Sequence, residues 1–331
     1  MTKCYVNGLG AINALQVDEP LEKLTASFTP ALQPNYKDLI APALLRRMGK
    51  GVKMAIYASQ QALNQANVEV PDAIITATGL GCIEDSEKFL KSVLENQEEF
   101  LTPTSFIQST HNTFGGQIAL RLKANGYNFT YVNEDSGFEM GLLDGFMQIK
   151  NEEENSVLVG GIEEMAPGFL ELFKLNGTIY SQENTLAPMW SEGAHFCVLS
   201  PQKTDSTYAE VLDVDLALNP ENLPSFISDF LDKNAFRISD IDALVLGYTP
   251  NEPINEIVEL FPQASIITYK SYLGHYQTAS AFGFNLACSL LKDQKILDDF
   301  YLIKIERNAK NLLIINQNKG KDFSFILLKN V

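Results

Sequence analysis

Apolar residues recur along this chain in two registers, a helical stripe and a short continuous run, and the two alternate. In the segment GVKMAIYASQQALNQA, apolar or small residues stand at Val52, Ala55, Ile56, Ser59 and Leu63, the spacing of a helix with one buried face. Pro71-Asp72 then leads into AIITATG, which predicts a strand buried on both sides. The same order returns later: LPSFISDFLDKNAF predicts a helix, Ser239-Asp240-Ile241-Asp242 a connector and ALVLGYT a strand. Downstream, YNFTYVN predicts a strand that turns through Ser136 into a helix over GFEMGLLDGFMQI. Phe138, Leu142, Phe146 and Ile149 share one side of that helix, and the strand SVLVGGIEE follows. Its counterpart is the strand ASIITYK, a turn through Ser271-Tyr272-Leu273-Gly274-His275, the helix YQTASAFGFNLACSLL and the strand NLLIINQ.

Nearly all-apolar strands alternating with helices imply an α/β fold whose sheets are covered on both faces. Two such units packed back to back predict a layered α/β/α/β/α architecture made of two similar halves. The helices after Ser136 and Gly274 then lie centrally, and their Gly, Ala and Ser content suits two buried helices in close approach. A boundary near Ser200-Pro201 divides the chain into halves 1–200 and 201–331, expected to share one core as a single domain over 1–331.

Composition removes several function classes. A chain of 331 residues can bury a large core, and its net charge of −16 argues against nucleic acid or anionic membrane as partners. No apolar run approaches the ~20 residues that span a bilayer, so no membrane insertion is expected. The opening MTKCYVNGLGAINA has one early Lys and then Gly8-Leu9-Gly10, which is not a signal-peptide pattern. Cys4, Cys82, Cys197 and Cys288 form no CxxC pair and no metal-like spacing with His. They read as reduced, mostly buried thiols of a cytoplasmic protein that holds no metal. Gly8-Leu9-Gly10 lacks a full GxGxxG and its acidic partner, so no dinucleotide or other cofactor is implied. Arg46, Arg47, Lys50 and Lys53 read as a surface basic cluster at a helix start.

The turn that carries Ser136 between a strand and a helix has the geometry that holds a nucleophile at a helix N-terminus. GGIEE, KSYLGH, WSEGAHFCVL and the opening VNGLGAI stand in an order and spacing that resemble the β-ketoacyl synthase family of the thiolase fold, from about residue 3 to the C-terminus. The resemblance implies a thiolase-like fold, dimerisation across the strand before the nucleophile turn, and work on acyl chains carried by acyl carrier protein. That family uses a Cys, two His and a Lys. Here the resemblance puts Ser136 at the Cys position and Gly247-Tyr248-Thr249-Pro250 where the first His belongs. The Lys and second His are retained as Lys270 and His275, while Gln317-Asn318-Lys319-Gly320-Lys321-Asp322-Phe323 replaces the family's C-terminal gating loop. A serine hydroxyl needs a nearby base, which only His275 would supply, and Glu134 and Asp135 disfavour an anionic nucleophile.

By the same resemblance, Thr110, His111, Thr113 and Phe114 lie near the dimer interface and line or plug an acyl tunnel. His195 reads as a buried, satisfied histidine and Glu192 as the family's structural acid. The expectation is a non-condensing subunit similar to a chain-length factor. It would pair with a Cys-containing ketosynthase in fatty acid, aryl polyene or polyketide biosynthesis, with the acidic carrier protein docking on the partner. The alternatives are a serine acyltransferase or malonyl decarboxylase using Ser136, Lys270 and His275, and a structural scaffold of a synthase complex; the dimer partner is the catalytic ketosynthase subunit or a second copy of this chain.

Overall fold

The alternation of stripes and runs is realised as two matching sets of strands around a pair of central helices. The computed structural model describes residues 2–16, 20–99, 101, 103–182 and 184–331. The first half begins with β1 (Cys4–Ile12), β2 (Phe28–Thr29), α1 (Pro42–Leu45), α2 (Lys50–Ala66), β3 (Ala73–Ala77), α3 (Ile83–Glu95), α4 (Pro103–Gln108) and α5 (Thr113–Leu122). It continues with β4 (Tyr127–Tyr131), α6 (Gly137–Lys150), β5 (Val157–Glu163), α7 (Pro167–Leu175), β6 (Trp190–Ser191) and β7 (Gly193–Ser200). The second half opens with β8 (Ala209–Leu218), α8 (Leu223–Lys233), β9 (Ala243–Gly247), α9 (Asn255–Leu260) and β10 (Ser265–Thr268). It ends with α10 (Lys270–Leu273), α11 (Ser280–Asp293), β11 (Tyr301–Ile303), β12 (Asn311–Asn318) and β13 (Asp322–Lys329).

The strand order is β11-β10-β9-β12-β13-β8-β1-β7-β5-β3-β4, with β2 and β6 paired separately. Read outward from the centre, β1-β7-β5-β3-β4 mirrors β8-β13-β12-β9-β10, so the duplication expected from the sequence is present in the sheet. The two sheets are not separate, however. Cys4, Tyr5 and Val6 pair antiparallel with Val211, Glu210 and Ala209, which joins both halves into one eleven-stranded ladder. Beyond Val6 the β1 backbone leaves β8, and its Leu9 and Ala11 N–H groups donate instead to Gln65 and Gln61 of α2 at 2.9 and 3.0 Å. The glycines here answer to packing: a Cβ on Gly8 or Gly10 would meet the Ala62 or Ala58 carbonyl of α2 at 2.1 or 1.9 Å.

Helix α6 touches β3 and β5 of its own half and β8 of the other; α11 touches β9 and β12 and also β7. Each central helix is therefore covered by both halves, as the layered pattern requires. Phe138, Leu142, Phe146 and Ile149 of α6 are all buried in a core that includes Ile314 and Ile326 of the second half. Each such side chain contributes roughly 1.5–3 kcal/mol on burial. The small residues serve a different contact from the one expected. Gly145 lets α6 sit against the sheet, where a Cβ would meet Val159 at 2.8 Å, whereas α6 and α11 meet through Phe138 and Phe284, 5.8 Å between ring centres.

Candidate functional site

Helix α6 follows β4 through a short turn, and β10 leads through the short α10 and a loop to α11; these two strand-to-helix junctions face one cleft of about 480 Å³. Its lining includes Glu134 and Asp135 from the first junction, and Lys270, His275 and Gln277 from the second. Thr249 and Glu252 follow β9, Gln317 and Lys319 come from the β12–β13 hairpin, and Phe173 and Trp190 form an aromatic wall.

At the first junction the chain leaves β4, makes a short 3-10 turn over Glu134–Ser136 and enters α6 at Gly137. Glu134 is the residue that bends it, with φ +45°, a left-handed conformation that costs a non-glycine residue about 1 kcal/mol. Its carboxylate pairs with Lys319 Nζ at 2.6 Å, and Asn316 Nδ2 donates to the Asp135 carbonyl at 2.8 Å. The turn therefore presents Glu134 and Asp135 to the cleft. Ser136, expected at the nucleophile position, is the half-buried N-cap of α6, makes no side-chain capping bond and is not among the cleft's lining residues. The stretch expected to replace a gating loop is a tight hairpin turned by Lys319 and Gly320, both with positive φ.

At the second junction, Gly274 takes φ +88° and passes so close to Ser191 that a Cβ would lie 2.8 Å from its Oγ. His275 is then clamped on both sides, its N–H donating to the Met189 carbonyl at 2.8 Å and its carbonyl accepting from the Ser191 N–H at 3.0 Å. Its ring stands edge-on to Trp190 at 4.8 Å. Lys270 is 5% exposed and, among the described residues, makes no ion pair. Thr249 occupies the turn where the imidazole was expected to be missing, and its N–H is taken by Glu252, whose other oxygen accepts from Gln317.

The charges here are perturbed by burial. Burial pushes the Asp135 carboxyl up to about 6, with Glu134 and Glu252 adding to the rise and Lys270 and Lys319 opposing it. Burial, with the Lys270 ammonium adding to it, holds His275 well below its ordinary value. Nε2 of His275 lies 3.6 Å from Asp135 Oδ1, but a neutral ring makes this no ion pair. One helical turn beyond, buried Glu139 is pushed up to about 7, against the pull of the Ser280 and Ser324 hydroxyls.

The structure brings Lys270 and His275 together and leaves the other expected residues elsewhere. Thr110 and His111 are exposed, Thr113 is half-buried and bonded to Thr110 at 3.1 Å, and Phe114 is fully buried in the core against Gly51 of α2. None of the four lines the cleft. His195 is buried between Asn13 and Tyr276, both at 3.2 Å, and burial pushes it down to about 3. Glu192 is fully buried on Lys50 at 2.6 Å, which makes Lys50 a structural partner rather than a member of a surface cluster. Asp135, Glu252 and Lys319 were not singled out as site residues. Only the acidic pair before Ser136 offered a signal.

A family profile described as "Beta-ketoacyl synthase, N-terminal domain" matches residues 23–235, more than half of the chain. No curated protein matches the sequence at a significant level. Among solved structures, the ishigamide ketosynthase/chain length factor superposes with a TM-score of 0.82 at 17% identity, covering 100% of this chain and 99% of that one. A β-ketoacyl synthase from Burkholderia phymatum STM815 gives 0.78 at 15%, with 100% of both chains covered. The structure of a type II PKS acyl-carrier protein in complex with its ketosynthase bound to the hexaketide (AntDE:AntF) gives 0.81 at 15%, again over 100% of both. At these identities the likeness establishes the fold, a thiolase-like layered architecture.

Proposed function

Because the chain belongs to the β-ketoacyl synthase family, we propose that it is a non-condensing, chain-length-factor-like subunit that pairs with a Cys-containing ketosynthase. The observation that carries this reading is the first junction. A thiolate is what accepts the acyl chain in condensation, and here the residue that bends the turn is Glu134, tied to Lys319. The cleft around it is otherwise built, with Lys270 and His275 in place.

The surface assigned to the partner is β4. It is one of the two edge strands of the sheet, and Tyr127, Phe129 and Tyr131 line up along it with neighbouring ring centres 6.2 and 4.9 Å apart. Tyr127 and Phe129 are 41% and 47% exposed, an unpaired aromatic edge that otherwise invites aggregation. The net charge of −16 directs an acidic carrier protein to the partner. We take the two halves to act as one domain, in the cytoplasm, during polyketide or related acyl-chain assembly.

Co-expression with a Cys-containing ketosynthase encoded nearby tests the reading. The expected result is a stable heterodimer that elongates carrier-bound chains, with neither subunit elongating alone. A homodimer that ignores the ketosynthase would overturn it, and it would also leave the scaffold reading in place. Calorimetry of the chain is expected to show one unfolding transition; two separable ones would refute the single domain.

A further inference from the structure

The cleft contains one carboxylate that its neighbours do not occupy. Glu134 is taken by Lys319, and both oxygens of Glu252 are taken by Thr249 and Gln317. Asp135 accepts no hydrogen bond on its carboxylate among the described residues: only its backbone carbonyl is bonded, to Asn316, and Oδ1 is buried and unpartnered. Beside it stand the neutral His275, with Nδ1 also buried, and the buried Lys270 side chain; among the described residues Nδ1 has no hydrogen-bond partner and Lys270 makes no ion pair. A free base, an imidazole and an ammonium around a 480 Å³ cleft are the parts of a water-activating site.

We propose that this cleft hydrolyses acyl thioesters, with Asp135 as general base and Lys270 as the group that stabilises the oxyanion. The inference rests on the proposed role as a ketosynthase-family subunit, and takes the cleft that holds Lys270 and His275 as the place where an acyl thioester would sit. Water attacks the thioester carbonyl as Asp135 takes its proton, and the C–O bond forms. Negative charge gathers on the carbonyl oxygen near Lys270. The C–S bond then breaks, Asp135 returns the proton to the departing sulfur, and a carboxylic acid and a thiol are released with the enzyme unchanged. His275 touches the base rather than the substrate and acts as a positioning residue. In a subunit that does not condense, such a reaction would clear stalled chains.

The groups facing Asp135 set its pH response. They are Glu134 on its own turn, Glu139 of α6, Glu163 of β5, Tyr269 and Lys270 at the second junction, His275, Glu252 and Lys319. With the carboxyl raised to about 6, the fraction of ionised base grows as pH rises through that value, so hydrolysis is expected to rise and then level above it.

The chain's single tryptophan, Trp190, lines the cleft and reports its occupancy by fluorescence. The test incubates the full chain with hexanoyl-N-acetylcysteamine and follows both Trp190 quenching and thiol release with a chromogenic disulfide reagent. All four cysteines are buried, so the protein's own thiols add little background. The expected result is quenching together with thiol release that rises through about pH 6. Asp135→Asn should still quench but release thiol roughly 100-fold more slowly. Quenching without release overturns the hydrolysis and leaves the acyl-site reading intact. Release unchanged in an Asp135→Asn protein that quenches normally overturns the assigned base. Absence of both quenching and release overturns the proposal and the acyl-site reading together.

Discussion

The two strand-to-helix junctions occupy equivalent places in a duplicated fold, yet they are held in different ways. The second, from Lys270 to His275, is fixed by its own backbone: a glycine in the left-handed region and two main-chain bonds to Met189 and Ser191. The first, from Glu134 to Gly137, is fixed by side chains from far away in sequence, Asn316 and Lys319 of the C-terminal hairpin. A junction held by backbone contacts keeps its geometry whatever its side chains become. A junction held by side chains changes its chemistry together with its fastening.

The largest expected effect comes from striking the backbone-held junction. Gly274→Ala forces a Cβ toward Ser191 at φ +88° and ψ 172°. It is expected to destabilise the protein by about 3 kcal/mol, read as a fall in Tm. A Tm within a degree of the parent would show that the clamp is not what holds this turn.

Next in size is a pH effect in which the junctions act in opposite senses. Asp135 and Glu139 have folded values raised to about 6 and about 7, so the stability they contribute is lost as pH rises through those values. His275 has a folded value held well below its ordinary one, so its contribution is lost as pH falls below about 6.5. The predicted stability falls between about pH 4.5 and about pH 7, where the two carboxyls outweigh His275, by on the order of 2 kcal/mol, and levels off above that range. Glu139→Gln is expected to flatten that fall, and Tm rising steadily from about pH 4.5 to about pH 7 would contradict the assignment.

Glu134→Gly probes the side-chain-held junction. It relieves about 1 kcal/mol of backbone strain but removes an exposed ion pair worth about 0–1 kcal/mol and loosens the unfolded chain. The expected change in Tm is at most a few degrees, against the large loss for Gly274→Ala. Smallest is the catalytic gain from a new thiol. Glu134→Cys is expected to alkylate with iodoacetamide roughly tenfold faster than Ser136→Cys, by mass spectrometry, without acquiring condensing activity. Faster labelling at 136 would restore the serine to the cleft.

Much of the fold was legible because hydrophobic period depends on neighbours in sequence. The runs AIITATG and ALVLGYT became β3 and β9, equivalent strands, and the stripe Phe138, Leu142, Phe146 and Ile149 became the buried face of α6. The site was legible only at Lys270 and His275, which sit in one short motif. Placing the bend at Ser136 missed Glu134 because a non-glycine residue in the left-handed region leaves no sequence signature. Phe114 was expected in a tunnel, but an aromatic at helical spacing filled the space above Gly51. Lys319 was unreadable as a site residue because its partner lies 185 positions away.

That distance also sets an order of events during synthesis. At roughly 5–20 residues per second, the ribosome would deliver Lys319 about ten to forty seconds after Glu134. Through that interval the first junction has neither of its distant fastenings, and its carboxylates stand open to solvent. The cleft is therefore finished last, when the closing hairpin adds β13 between β8 and β12. A nascent chain stalled before the hairpin would carry most of the scaffold and no assembled site.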